Sequence, residues 1–332
     1  GPVAMVSLLV QAGLNGILTK DQCPEWYAQL EAAGGDADLV PPQSEVCVEV
    51  YCNLAFLTSA LVGVVMVLGS VLRLSFLVCF LGHPVISGFT SGSAIIIGLS
   101  QVKYFLGVDI PKSQHLHVTL CAIVARVPDA KPAPLLLGCV WVAFLFGCKK
   151  LAQRRRDSLR WLGPLSPLIG CCAGTVLMML WPALHDKYHV KRVGTIDGGL
   201  FPPSLEALRS SAASWRTVSA TALSASLIGF MESVAIGKNL AMQHRYELDA
   251  GQEMLAIGVA NLVGSTLSCY PVTGSFSRSA VANSTGALTQ FAGFVTGLVM
   301  LSTMLYLTRL FYDLPMFVLA AVVVNSGLSL IY

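Results

Sequence analysis

The sequence predicts an all-α protein that crosses a bilayer many times. Hydrophobic residues fill 55% of its 332 positions and charged ones 12%, about half the charge of a soluble domain. The apolar residues gather into runs close to the ~20 that a helix needs to cross the hydrocarbon core. Charge gathers between those runs, and the net charge of +3 is too small to argue for a nucleic-acid partner.

Taken in order, a short apolar segment at 1–18 is followed by a polar loop. Spans are then expected at about 48–70, 84–107, 133–149, 163–184, 212–238, 250–269, 287–308 and 314–331, with a short hydroxyl-rich piece at 275–285. The stretch "VLRLSFLVCFLGH" is too short to cross and reads as an interfacial helix. "HLHVTLCAIVARV", 115–127, fits either an interfacial helix or a strand pair. The chain opens on "GPVAMVSLLV" and stops inside the apolar "SGLSLIY", and so reads as an internal fragment of a longer protein.

Basic loops mark the cytoplasmic side. Lys149, Lys150, Arg154, Arg155, Arg156 and Arg160 put the loop after the third long span inside. Counting back across three spans puts 19–46 outside, where Asp21, Glu25, Glu31, Asp36, Asp38 and Glu45 make it acidic. The 185–211 loop falls outside on this count, yet holds Lys187, Lys191, Arg192 and Arg209. Cys23 and Cys47 bracket the acidic loop on the oxidising side, and a disulfide between them is expected, with Cys52 as a competing partner. Cys79, Cys139, Cys148, Cys171 and Cys172 lie in apolar runs and read as small hydrophobes without metal-ligand spacing. No catalytic constellation is visible and no cofactor is implied; "GTIDGGL", 194–200, is too weak to read as a phosphate loop.

Two short segments stand apart, "GPVAMVSLLV" at the start and "PVTGSFSRSAV" from Pro271. Each is opened by Pro or Gly and too short to cross, and they occupy corresponding places in two halves. Paired interruptions of this kind point to a midplane binding site in an inverted-repeat transporter, because unpaired backbone is tolerated at that depth only where it lines a cavity.

The motifs "LGHPVISGFTSGSAIIIGLSQVKYFLG" (81–107), "GFMESVAIGKNLA" (229–241), "LDAGQEMLAIGVANLVGS" (248–265) and "YPVTGSFSRSAVANSTG" (270–286) resemble the sulfate permease family of anion transporters, in particular its plant and algal sulfate transporters. The resemblance is collinear along the chain. It implies two inverted seven-segment repeats forming a core domain, which carries the substrate, and a gate domain. It further implies that the chain runs from the third segment into the twelfth, with the outermost segments and the cytoplasmic STAS domain absent. Core parts would lie at 1–72 (third and fourth segments) and 212–309 (eighth to eleventh), and gate parts at 73–211 (fifth to seventh) and 310–332. The resemblance also implies a homodimer.

By resemblance the third and tenth segments are half-helices with the anion between their N-termini. The matching residues are Pro2, Val3 and Ala4 at the first and Ser275, Phe276, Ser277 and Arg278 at the second. Two helix N-termini of about +0.5 each, with one guanidinium, sum to about +2. That sum suits a divalent oxyanion and also attracts chloride or bicarbonate. Arg278 is costly at bilayer depth, by about 2.5–3.5 kcal/mol; Ser275 and Ser279, four apart, also fit plain helix packing.

Glu232 is the second costly residue, more than a turn deeper than Lys238. It reads either as a structural partner, paired with Arg278 or hydrogen-bonded to neighbouring serines, or as a proton carrier, since burial disfavours the charged carboxylate. His83 is a weaker candidate for the proton and otherwise shapes a helix entry with Pro84 and Gly88. Gln101 and Lys103 read as interfacial, and Asn261 and Asn283 as hydrogen-bonding between helices. The expected function is secondary active uptake of sulfate with protons across the plasma membrane or an organelle membrane. The alternatives are a chloride or bicarbonate exchanger or channel and, from another class, a non-transporting anion-binding scaffold or sensor.

Overall fold

A computed structural model describes residues 3–15, 17–18, 20–34, 40, 43–74, 83–108, 110, 116–154, 162–196, 198–200, 202–211 and 214–328. The described residues form helices and connecting turns, with one isolated antiparallel bridge between Arg192 and Pro315. In chain order the helices are α1 (Ala4–Asn15), α2 (Pro24–Ala32), α3 (Gln43–Val46), α4 (Val48–Val71), α5 (His83–Leu106), α6 (Leu116–Arg126), α7 (Pro132–Arg154), α8 (Leu162–Leu180), α9 (Ala183–Asp186), α10 (Leu205–Ser211), α11 (Trp215–His244), α12 (Ala250–Thr266), α13 (Phe276–Thr285), α14 (Phe291–Ser302) and α15 (Met316–Leu328). Among the described residues, five stretches are long and apolar enough to cross a membrane: α4, most of α7, α8, α11, and α14 with its continuation to Phe311.

The 115–127 alternative resolves to a helix, α6, running into a 3-10 turn at Val127–Asp129. The polar loop after α1 contains helix as well. Pro24 at its first turn and Glu25 beside its positive end start α2. Of the expected interfacial helix near residue 75, positions 75–82 lie outside the described residues.

The chain divides into two compact units, Gly1–Gly88 with Phe201–Phe276 and Phe89–Leu200 with Ser277–Tyr332. In the first, α4 packs along α12 and α11, and α1 lies against α11 and α4. Small residues permit the close approach. A Cβ on Gly63 would stand 2.8 Å from the Gly258 carbonyl and from the Leu262 nitrogen, and one on Gly258 would stand 2.9 Å from the Val67 nitrogen. Around this contact Val6, Val10, Leu14, Leu54, Val62, Met66, Val218, Phe230 and Val234 form the buried core. Cys23 and Cys47 are joined by a disulfide as expected, with Cα atoms 5.9 Å apart, so the start of α2 is tied to the start of α4.

In the second unit α15 packs on α7 and α8, with Phe317 edge-on to Trp141 at 5.6 Å between ring centres. Pro167 inside α8 cannot bond the carbonyl four residues before it; the Ser166 hydroxyl donates to that Gly163 carbonyl at 2.8 Å. The basic segment after α9 runs beside the chain entering α15. Val193 N donates to the Leu314 carbonyl, Gly194 N to Tyr312 and Met316 N to Lys191. Arg192 pairs with Asp313 at 3.2 Å and lies over the Tyr312 ring. That cation, an exception to the charge asymmetry of the loops, therefore has a local structural role. Beyond α14 the helix loosens into a π turn at Thr303–Leu307, whose Met304 carbonyl accepts from Gly199 N.

Candidate functional site

Two short helices begin within the apolar part of the chain, and the structure gives each a distinct entry. The first, α1, starts at Ala4, with the Val3 carbonyl accepting from Ser7 N at 2.9 Å. Pro2 lies outside the described residues. The second, α13, starts at Phe276, after a non-helical run from Cys269 through Ser275. Phe276, Ser277 and Arg278 supply its first turn, where backbone N–H groups lack partners inside the helix.

The run before α13 exists because α12 is stopped hard. Ser268 adopts φ 58°, a left-handed conformation that costs a non-glycine residue about 1–2 kcal/mol. Cys269 N reaches back to the Gly264 carbonyl at 2.9 Å, a Schellman closure. The companion bond goes through a side chain: the Ser204 hydroxyl donates to the Ser265 carbonyl and accepts from Ser268 N.

From there the backbone is satisfied by side chains of neighbouring helices. Asn261, 1% exposed, donates from Nδ2 to the Val272 carbonyl at 2.9 Å and accepts Val272 N on Oδ1 at 2.9 Å. Its amide thus holds Val272 as a paired strand would. The Ser59 hydroxyl of α4 lies 3.4 Å from the same Oδ1. Two residues on, the Ser233 hydroxyl of α11 accepts Gly274 N at 2.9 Å while donating to the Gly229 carbonyl. Gly274 lies so close to α11 that a Cβ there would stand 3.0 Å from the Ser233 Cα. Thr273 and Ser275 are buried.

Glu232 is 6% exposed in the middle of α11, next in sequence to Ser233. Arg278 is exposed, as is Val281 one turn later. Glu232 belongs to the first unit and Arg278 to the second, so their pairing stays an expectation. The side chains of Ala4, Phe276 and Ser277 lie outside the described residues, although their backbone is helical.

The structure brings Ser233, next in sequence to Glu232, to the glycine before Ser275, on the segment that Asn261 fixes. Of these anchors, Asn261 was visible in the sequence as a hydrogen-bonding residue between helices. The sequence does not mark Ser233 or Ser204, although serines crowd α11 beside a carboxylate.

An all-α membrane protein with two short helices, the second entered through side-chain-held extended backbone, fits a transporter-type inverted-repeat fold. Solved structures share it. The murine Solute Carrier 26 family member A9 anion transporter, in an inward-facing state, superposes with a TM-score of 0.74 at 23% identity over 98% of this chain and 51% of that one. The transmembrane domain of a cyanobacterial bicarbonate transporter, BicA, gives 0.72 at 20% identity over 98% and 74%. The family model for the sulfate permease family matches residues 1–332, and the chain belongs to that family. The chloroplastic sulfate transporter 4.1 of Arabidopsis thaliana is 36% identical over 100% of this chain and 43% of its own length. The chain spans less than half the length of the curated relatives it matches.

Proposed function

We propose that the protein is a secondary active transporter of sulfate or a related inorganic oxyanion, coupled to protons. The observation that carries this reading is the entry to α13: a buried, non-helical segment held by Asn261 and Ser233 that delivers a helix N-terminus with Arg278 in its first turn. The anion is held between this end and that of α1, by Val3 and Ala4 with Pro2 on one side and Ser275, Phe276, Ser277 and Arg278 on the other. Backbone N–H groups and one guanidinium, about +2 in all, match a doubly charged oxyanion. The sulfate transporter named among the relatives supports sulfate as the substrate.

Glu232 carries the proton. Ionised, it sets a negative charge on the helix that holds the anion segment; protonated, it removes that repulsion, so proton and anion bind together. The core parts, 1–72 and 212–309, then move against the gate parts, 73–211 and 310–332, and the empty core returns with Glu232 and Arg278 compensating one another. A homodimer in the plasma membrane or an organelle membrane is the setting we infer.

A second reading, exchange or channel conduction of chloride or bicarbonate, is favoured by the fold shared with a bicarbonate transporter. Labelled sulfate flux in proteoliposomes of the full-length protein separates the readings. Accumulation driven by an inward proton gradient is expected. Gradient-independent exchange blocked by chloride or bicarbonate supports the second reading, and absence of flux leaves a binding scaffold.

A further inference from the structure

The run before α13 is anchored at one more point, by Tyr270. The Tyr270 hydroxyl donates to the Ser7 carbonyl of α1 at 3.1 Å. Ser7 is one turn into α1, and Tyr270 stands six residues before the first residue of α13. The Tyr270 ring is half-buried and packs on the core of the first unit. Asn261 and Ser233 tie the segment to α12 and α11; Tyr270 ties it to the other half-helix.

We propose that Tyr270 is a positioning residue for the anion: through Ser7 it ties the lead into α13, up to the helix start at Phe276, to α1. The inference rests on the reading that the anion lies between the N-termini of α1 and α13. A site built from two helix ends binds well only at one separation, because each N–H contact weakens steeply as its hydrogen bond lengthens. One hydroxyl, bonded to the Ser7 carbonyl, thereby sets the lead into α13 against α1. The ring of Tyr270 fills the core whether or not its hydroxyl is present, so position and packing can be tested apart.

The test is labelled sulfate uptake by the full-length protein in proteoliposomes, comparing Tyr270→Phe and Arg278→Ala with the wild type. Tyr270→Phe is expected to raise the half-saturation concentration about fivefold, the equivalent of one neutral hydrogen bond, with the maximum rate per reconstituted transporter within about twofold. A purely structural hydroxyl would instead lower the amount of folded protein and leave half-saturation alone. Unchanged half-saturation in Tyr270→Phe together with a raised value in Arg278→Ala overturns the positioning role and leaves the site standing. Unchanged values in both variants sink the site reading and the inference with it. If Tyr270→Phe does not reconstitute, uptake into membrane vesicles from cells expressing it carries the test, and an unchanged half-saturation there overturns the proposal.

Discussion

Replacing Asn261 by Ala removes the clamp on the segment that leads into α13. Val272 loses the acceptor of its N–H and the donor to its carbonyl, each at 2.9 Å. Asn261 is 1% exposed, so bulk water does not take over either bond. An orphaned buried polar group costs about 1–3 kcal/mol. Two of them, less the desolvation that the asparagine itself no longer bears, come to about 3 kcal/mol. The bond from Nδ2 to the Ile257 carbonyl, 2.9 Å, is also lost, but that carbonyl belongs to the helical ladder and costs little. The assay is thermal unfolding of the purified full-length protein in detergent, with sulfate uptake measured alongside. Asn261→Ala should lower the midpoint by roughly 5–10 °C and reduce uptake. Asn261→Asp should be no better, since it keeps an acceptor for Val272 N–H but turns an oxygen toward the Val272 carbonyl. Asn239→Ala, at a site where the amide makes one long exposed contact to Gln243, is the control and should shift by about 0.5 kcal/mol or less. An Asn261→Ala protein that melts with the wild type would refute the idea that this side chain holds the segment.

Three further outcomes are expected. Gly258→Ala gains helix propensity of up to about 1 kcal/mol, yet its Cβ would stand 2.9 Å from backbone of α4, and overpacking of this kind costs about 1–3 kcal/mol; a lower melting midpoint in detergent checks it. Breaking the Cys23–Cys47 bond, which spans 24 residues, should destabilise by about 3 kcal/mol; Cys23→Ser and mass spectrometry of non-reduced peptides test the effect and the pairing. Glu232→Gln should still exchange labelled sulfate at neutral pH but not accumulate it under an inward proton gradient, and accumulation in that variant would move the proton to another residue, with His83 next to test.

The apolar runs at 48–70, 133–149, 163–184, 212–238 and 287–308 correspond to helices long enough to span, because a bilayer demands internally satisfied backbone; the run at 250–269 forms a shorter helix, α12, of 17 residues. The start of α13 was legible for a similar reason. Pro271, Gly274 and the serines around Arg278 cannot continue α12, and an arginine there needs a purpose. What holds that start was less legible. The bond from Asn261 to Val272 crosses the sharp turn at Ser268, and no local pattern says that a serine will adopt the left-handed conformation that makes the turn. Ser204 completes the same turn from more than 60 residues away, a distance over which one sequence carries no pairing signal. Pro24 and Glu25 mark the start of α2, but the polar composition around that helix hides it within a loop. The disulfide was legible because Cys23 and Cys47 close a segment with no core of its own.

The anion site is tested most directly by the sulfate half-saturation of Arg278→Ala and Ser277→Ala, measured in proteoliposomes with the amount of reconstituted protein determined for each. Hydrogen bonds to a charged group contribute about 1.5–3 kcal/mol, so each variant should raise the half-saturation concentration by roughly tenfold or more while reconstituting like the wild type. Wild-type half-saturation in both would contradict the account and place the anion away from the N-terminus of α13.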